Sequence, residues 1–145
     1  MSHTIYIRNC TIEEAVGCAR RIPELEGSYG RAEYQNRLEG VPHLLLLAEA
    51  DGVPAGFKVG YEREGCFYSW MGGVRPAYRR RGIAKALAIH QQMWAKQNGY
   101  SRIAFKTRNY LRAMLIFALH NGFYITAVEE REDPMHNRIW LEKVL

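Results

Sequence analysis

The chain has 145 residues, a net charge of +5, 48% hydrophobic residues and 12% aromatic residues. This length suits a single domain spanning residues 1–145, and the composition excludes an intrinsically disordered chain. No apolar run approaches the roughly 20 residues that a membrane-spanning helix needs. The N-terminus lacks the charged and apolar regions of a signal peptide, so the sequence predicts a cytoplasmic protein without membrane partners.

Three cysteines, Cys10, Cys18 and Cys66, are widely spaced and form no Cys-x-x-Cys pair. A disulfide framework would need an even, more closely patterned set, and a zinc site would need paired ligands. We therefore expect no metal.

The charge is divided unevenly along the chain. Residues 1–60 hold 6 basic and 8 acidic residues, whereas residues 61–145 hold 14 basic and 7 acidic residues. A basic half raises nucleic acid as a partner, but an anionic small ligand explains it equally well.

The first half predicts a strand, two helices and three further strands. A strand over residues 3–8 precedes the capping box Thr11-Ile12-Glu13-Glu14, which begins a helix that ends near residue 22. A short helix follows over residues 31–38. Strands over residues 44–49, 54–62 and 66–71 then form a meander, and Gly72-Gly73 indicates a bulge or a splay near its end.

The second half alternates helices with strands. Its helices are predicted over residues 83–98 and 111–121, and its strands over residues 101–107, 123–129 and 138–144. The order β-α-α-β-β-β-α-β-α-β-β predicts an α/β (α+β) domain with a mixed, mostly antiparallel sheet of about seven strands and about four helices.

An arginine-rich segment, Arg79-Arg80-Arg81-Gly82-Ile83-Ala84, lies where a predicted strand gives way to the long helix. The first N–H groups of a helix have no internal partner and attract anions. Gly82 lacks a Cβ, and arginines form forked hydrogen bonds with phosphate. The segment therefore predicts a site for a polyphosphate, although so short a pattern also arises by chance.

With its setting, this segment resembles the Arg/Gln-x-x-Gly-x-Gly/Ala loop of the GNAT superfamily of acetyl-CoA-dependent N-acetyltransferases. Val74-Arg75-Pro76 resembles the end of the family's fourth strand, Lys106-Thr107-Arg108-Asn109 its fifth strand and following asparagine, and Gly122-Phe123 the end of its fourth helix. The resemblance implies a sheet splayed between strands 4 and 5.

The resemblance also implies a set of residues that bind acetyl-CoA as the acyl donor. These residues are Gly73, Val74, Arg79, Arg80, Arg81, Gly82, Ile83, Ala84 and Asn109. The implied partners are acetyl-CoA and an amine acceptor, with a homodimer common among similar proteins.

The sequence departs from the family at both proton-transfer positions. Ala118 stands where many relatives have a tyrosine acid, and Ser69 stands where some relatives have a glutamate base. The catalytic residues are therefore not assigned, and four candidates remain: Glu49, Glu62, Tyr110 and Tyr124. His90 lies within the long helix and is expected to be structural.

The expected function is transfer of an acetyl group from acetyl-CoA to a small amine, an amino acid or a peptide amine by direct attack in a ternary complex. Acidic residues of the expected acceptor region, Glu26, Glu33, Glu129, Glu130, Glu132 and Asp133, would favour a cationic acceptor unless they are merely solvated. Two alternatives are an acyl-CoA-binding protein without transferase activity and, ranked last, a nucleic-acid-binding basic domain, so nucleic acid is not expected.

Overall fold

Residues 4–145 are described by a computed structural model. Their strands are β1 Ile5–Asn9, β2 His43–Ala50, β3 Val53–Arg63, β4 Cys66–Val74, β5 Arg102–Arg108, β6 Tyr124–Glu129 and β7 Arg138–Val144. Their α-helices are α1 Ile12–Ala19, α2 Arg31–Leu38, α3 Ile83–Gln97 and α4 Arg112–His120. The predicted order of elements is confirmed, although His3, the predicted start of the first strand, lies outside the described residues.

The described strands form one mixed sheet in the order β1-β2-β3-β4-β5-β7-β6. Neighbouring strands are antiparallel except for β4 and β5, which are parallel because α3 connects them as a crossover. The predicted fold class is thereby confirmed. No helix within residues 4–145 has the length and apolar character that crossing a membrane requires.

Each face of the sheet carries its own core. On one face, α3 packs its buried stripe of Ile83, Leu87 and Ala95 on side chains such as Phe67 and Ile103. On the other face, α1 and α2 cover a second set that includes Tyr34, Leu47, Phe57 and Val59. We call these the α3 face and the α1/α2 face.

The helix boundaries follow local chemistry. Thr11 accepts a hydrogen bond from the Glu14 N–H while the Glu14 carboxylate accepts one from the Thr11 N–H, which confirms the predicted capping box. In α3, Gln91 is fully buried and His90 is exposed, so Gln91 and not His90 lies in the core. Helical spacing alone could not decide between these two neighbours.

The sheet is interrupted twice around β4. In the β3–β4 pair, Val59 lies opposite Met71 and Gly60 lies opposite Ser69, which leaves Trp70 as the extra residue of a bulge. The bulge therefore lies two residues before the predicted glycines. The parallel β4–β5 pair contains only Phe67 with Ile103 and Tyr68 with Ala104. Beyond these pairs the two strands separate, as the family resemblance implied.

Gly60 is a site where the close approach of neighbours excludes a side chain. A Cβ at Gly60 would lie 2.4 Å from Phe67 Cε2 and 2.8 Å from the Tyr68 carbonyl oxygen. We predict that Gly60→Ala lowers the free energy of unfolding by about 1–3 kcal/mol, because backbone and core must move. Chemical denaturation measures this change.

Gly17 provides the matched control, since it lies within α1 with nothing within 4 Å of a built Cβ. Gly17→Ala should instead stabilise the protein by about 0.5–1 kcal/mol through helix propensity. Equal effects of the two substitutions would contradict the packing argument.

Candidate active site

The separation of β4 from β5 opens a gap in the middle of the sheet. Beyond Tyr68 and Ala104, the facing edges of these strands have no strand partner. The Arg75 N–H donates to Ala55 O on β3, so by strand alternation the Val74 N–H points away from β3 and into the gap. Gly73 faces the segment that follows α1, where a built Cβ would lie 3.0 Å from Ile22 Cδ1.

The N-terminus of α3 lies beyond the end of β4 and has no cap. The first helical bond runs from the Ala86 N–H to Gly82 O, and no side chain caps the preceding N–H groups. The first turn also has no acidic residue, in contrast to α1. The N–H groups of Ile83, Ala84 and Lys85 therefore remain available to an anion.

Two residues in the left-handed region shape this turn. Gly82 has φ 79° and Arg80 has φ 63°, and a Cβ built on Gly82 would meet nothing within 4 Å. The space in front of the helix is open as a result. Ile83 is buried in the core while Ala84 is exposed, so the first turn is anchored on one side and accessible on the other.

Arg79 stabilises the loop through two contacts. Its Nε donates to Val74 O at 3.0 Å, and its Nη2 lies 2.8–2.9 Å from the carboxylate of Glu24. This interaction lowers the pKa of Glu24 and keeps that carboxylate charged. The structure thus links Arg79 to the end of β4 and to the short 3₁₀ turn at Pro23–Leu25.

Arg80 and Arg81 are exposed, and Arg75 is half-buried. The guanidinium carbons of Arg75 and Arg81 lie 5.3 and 5.5 Å from the Tyr78 ring centroid, and Arg75 also donates to Pro54 O. Arg80 and Arg81 form no ion pair within residues 4–145. Their positive charge therefore adds to that of the helix start.

Lys58 lies on the α3 face opposite Gly72. A Cβ built on Gly72 would lie 3.4 Å from Lys58 Cγ, so the missing side chain leaves room for the lysine to extend across β4. Burial lowers the pKa of Lys58 to about 8. No ion pair or hydrogen bond of this ammonium occurs within the described chain.

The α1/α2 face of the gap is aromatic. The Trp70 ring lies 4.7 Å from Tyr34, 5.4 Å from Tyr29 and 6.0 Å from Tyr61, measured between centroids. Tyr34 is buried, whereas Tyr29 is 47% exposed. Tyr34 is therefore a core residue, and Tyr29 and the half-buried Trp70 form part of an accessible wall.

The structure places the two carboxylate candidates away from the gap. Glu49 accepts a hydrogen bond from Arg8 at 2.7 Å, near the β1 edge of the sheet. Glu62 lies on the α3 face and accepts a hydrogen bond from the Tyr100 hydroxyl at 3.0 Å. Ser69 pairs with Gly60, which also faces α3.

The aromatic candidates and Asn109 are distributed around the C-terminal strands. Tyr110 is 49% exposed and its ring contacts His136, while Tyr124 is 43% exposed at the start of β6. Asn109 Nδ2 donates to Pro134 O at 3.2 Å and fixes the loop before β7. Ala118 is buried against Ile139 and Leu141.

The acidic residues expected to attract a cation are partly neutralised. Glu33 forms an ion pair with Arg37 at 2.8 Å, and Glu129 accepts a hydrogen bond from Trp140 Nε1 at 2.6 Å. Asp133 caps the Met135 N–H. Within residues 4–145, no three His, Cys, Asp or Glu side chains are grouped closely enough to hold a metal ion.

Comparison with known proteins agrees with this geometry. The Acetyltransferase (GNAT) family matches residues 10–123. The chain shares its fold with the ribosomal-protein-S18-alanine N-acetyltransferase from Escherichia coli, at 15% identity and a TM-score of 0.84, covering 97% of this chain and 94% of that chain. No curated protein matches the sequence.

Two further solved structures are similar. Ard1 from Thermoplasma volcanium is 18% identical with a TM-score of 0.79, covering 97% of each chain. The PaiA N-acetyltransferase from Thermoplasma acidophilum, solved in complex with coenzyme A, is 20% identical with a TM-score of 0.73, covering 98% of this chain and 99% of that chain.

A mixed sheet opened between its central parallel strands, with a bare helix N-terminus beside the opening, defines an acetyltransferase fold. The family match covers most of the sequence. The chain belongs to the GNAT acetyltransferase family.

Sequence reasoning missed Lys58 and a group of basic residues on the α1/α2 face. Lys58 interrupts an apolar strand opposite Gly72, and a charged residue within a buried strand was the available signal. The basic residues come from distant parts of the chain, so no local pattern joined them.

Lys58→Met removes a buried ammonium, and we predict a higher melting temperature at pH 7. The folded-state pKa of about 8 lies below the ordinary value of 10.5. Between these two pH values the unfolded chain binds more protons at Lys58 than the folded protein does. The unfavourable contribution of Lys58 to wild-type stability therefore becomes smaller as the pH rises. The difference in melting temperature between Lys58→Met and the wild-type protein should therefore decrease from pH 8 to pH 10.5.

Thermal unfolding of both proteins across this pH range measures the effect. Lys96→Met, at an exposed position of α3, controls for the loss of a lysine. An advantage of Lys58→Met that stays constant with pH would contradict the assignment.

Proposed function

We propose that the protein transfers an acetyl group from acetyl-CoA to a primary amine by direct attack. The observation that carries the proposal is the unpaired edge of β4, which ends beside the uncapped N-terminus of α3. A single molecule with an amide-bearing arm and a pyrophosphate matches these two features, because the strand edge supplies backbone hydrogen bonds and the helix start favours anions.

The donor-binding role is divided among neighbouring groups. The N–H groups of Ile83, Ala84 and Lys85 would hold the pyrophosphate, and Arg80 and Arg81 would add positive charge. Arg79 would act indirectly, because its guanidinium is already bound to Val74 O and Glu24. The remaining amide oxygen of Asn109 is available to the arm.

Catalysis requires two contributions from the chain and an acceptor for the amine proton. The gap holds donor and acceptor together, which lowers the entropic part of the barrier. The Val74 N–H, which points into the gap, would stabilise the negative charge that develops on the carbonyl oxygen. As the amine nitrogen bonds to the acetyl carbon, the C–S bond breaks, and the amine proton passes to water.

The leaving thiol does not require a strong acid. A thiol with an ordinary pKa of about 8.5 leaves as a thiolate far more readily than an alcohol and then takes a proton from water. Transfer could therefore proceed although Ala118, which is buried, has no hydroxyl to donate a proton. Tyr110 and Tyr124 are exposed and remain candidates for that proton transfer.

A second function has specific support. Ala118 and the α3-facing Ser69 leave both usual proton-transfer positions without an acid or a base. A protein that binds acyl-CoA without transferring the acyl group would need neither. Donor binding is common to both functions, so turnover separates them.

Gly82→Val should weaken acetyl-CoA binding by about tenfold or more. The branched side chain would occupy the open space before α3 and strain a residue at φ +79°. Gly99→Val is the matched control, since Gly99 has φ +88° at the opposite end of the same helix, also with open space around it.

Isothermal titration of acetyl-CoA into folded variants measures both affinities. The loop assignment predicts loss of affinity only in the Gly82 variant. An unchanged affinity in that variant, or an equal loss in both, would contradict it.

Acetyl transfer itself is tested by release of free thiol from acetyl-CoA in the presence of small amines, amino acids, polyamines and peptides. We expect amine-dependent release with at least one class and an acetylated product of matching mass. Tight acetyl-CoA binding with no release above the amine-free rate would instead favour the non-catalytic function.

A further inference from the structure

Four basic side chains from four separate elements converge on the α1/α2 face of the gap. Arg37 lies on α2 and Arg63 on β3, while Lys106 lies on β5 and Arg138 on β7. We call them the cationic cluster. Burial lowers the pKa of Lys106, and the nearby charges of Arg138, Arg63 and Arg37 lower it further, so the four groups share one electrostatic environment.

Aromatic rings contact three of these four cations. The guanidinium carbon of Arg37 lies 4.6 Å from the Trp70 ring centroid. That of Arg63 lies 5.2 Å from Trp140, and Lys106 Nζ lies 5.3 Å from the same ring. Such stacking fixes the positions of the charges, and it leaves the N–H groups of Arg63 and Lys106 free to donate.

The cluster carries more positive charge than its carboxylates neutralise. Glu33 pairs with Arg37, and Glu129 lies 3.9 Å from Arg138 Nε. Within residues 4–145, Arg63 and Lys106 have no carboxylate in ion-pair contact. Arg138 Nε is buried and makes no hydrogen bond in the described chain. Two positive charges are therefore left over, and a buried donor lacks a partner, which is unfavourable without a ligand.

The cluster stands on both sides of the gap. The last paired residue of β4 is Tyr68, and that of β5 is Ala104. Trp70 and Lys106 each lie two positions beyond these residues, on the two strands that border the gap. Trp140 lies opposite Lys106 in the β5–β7 pair. The first turn of α3 belongs to the other face, where Ile83 packs. The cluster is therefore placed for the acceptor and not for the pyrophosphate.

We propose that the acceptor is an amine that also bears a carboxylate, and that Arg63, Lys106 and Arg138 bind this carboxylate. A planar carboxylate matches the forked donors of arginine, and the walls formed by Trp70 and Trp140 suit an apolar or aromatic side chain. This inference rests on the proposed transfer function and replaces a simple cationic acceptor with an amino-acid-like one.

Binding to the CoA-loaded protein tests the acceptor class without turnover. The probes are N-acetyl-phenylalanine and N-acetyl-leucine, each compared with its neutral amide. We expect an acid to bind about tenfold or more tightly than its amide, since only the acid forms charge-assisted hydrogen bonds. If no acid binds more tightly than its amide, the proposal is wrong.

Variants locate the effect. Arg63→Gln and Arg138→Gln should each reduce the ratio of acid to amide affinity toward one, while Lys96→Gln, which removes one exposed charge on α3, should leave the ratio unchanged. An acid preference that persists in the Arg63→Gln, Arg138→Gln double variant would overturn the assignment. Should either variant fail to fold, the wild-type protein still decides: raising salt must weaken binding of the acid more than that of the amide.

Turnover separates this inference from the proposed function. If phenylalanine and leucine release more thiol than their amides do, the result supports both the transferase function and the carboxylate site. Release that is equal for acids and amides keeps the transferase function but rejects the carboxylate site. Selective binding of the acids without any release keeps the site and rejects the transferase function.

Discussion

The loss of pairing between β4 and β5 is the constraint on which the rest of the structure depends. Two residue pairs hold the parallel strands together, and after Tyr68 and Ala104 the two strands no longer pair with each other. Unpaired backbone groups inside a protein are unfavourable. The surrounding elements must therefore keep the strands apart and leave their edges accessible to a ligand or to water.

Several local features maintain this separation. Trp70 forms the bulge at which β4 changes its register with β3, and aromatic rings pack around it on the α1/α2 face. At the far end of β4, Arg79 donates a hydrogen bond to Val74 O, so this carbonyl is satisfied without pairing with β5. The crossover helix α3 packs through Ile83 and Leu87 on the opposite face. The contacts of Trp70 and Arg79 fix β4 independently of β5.

Much of the fold could be predicted because its signals are local. The capping box at Thr11 marks the start of a helix, and Gly82 at φ 79° stands where a left-handed residue precedes α3. The contacts of the site were not predictable in the same way. Arg79 and Glu24 are 55 positions apart, and the residues of the cationic cluster come from four elements. Spacing along one element carries no information about such contacts.

The narrow junction between β4 and β5 also has a mechanical consequence. Strands β1 to β4 form one wing of the sheet and β5 to β7 form the other, joined directly by two residue pairs, by the chain through α3 and by the core around Ile103. A molecule bound in the gap would contact both wings and would hold them together. Ligand at 100 times its dissociation constant would add about 2.7 kcal/mol to the stability of the folded state. Thermal unfolding would therefore report binding of a ligand in the gap, whether or not that ligand reacts.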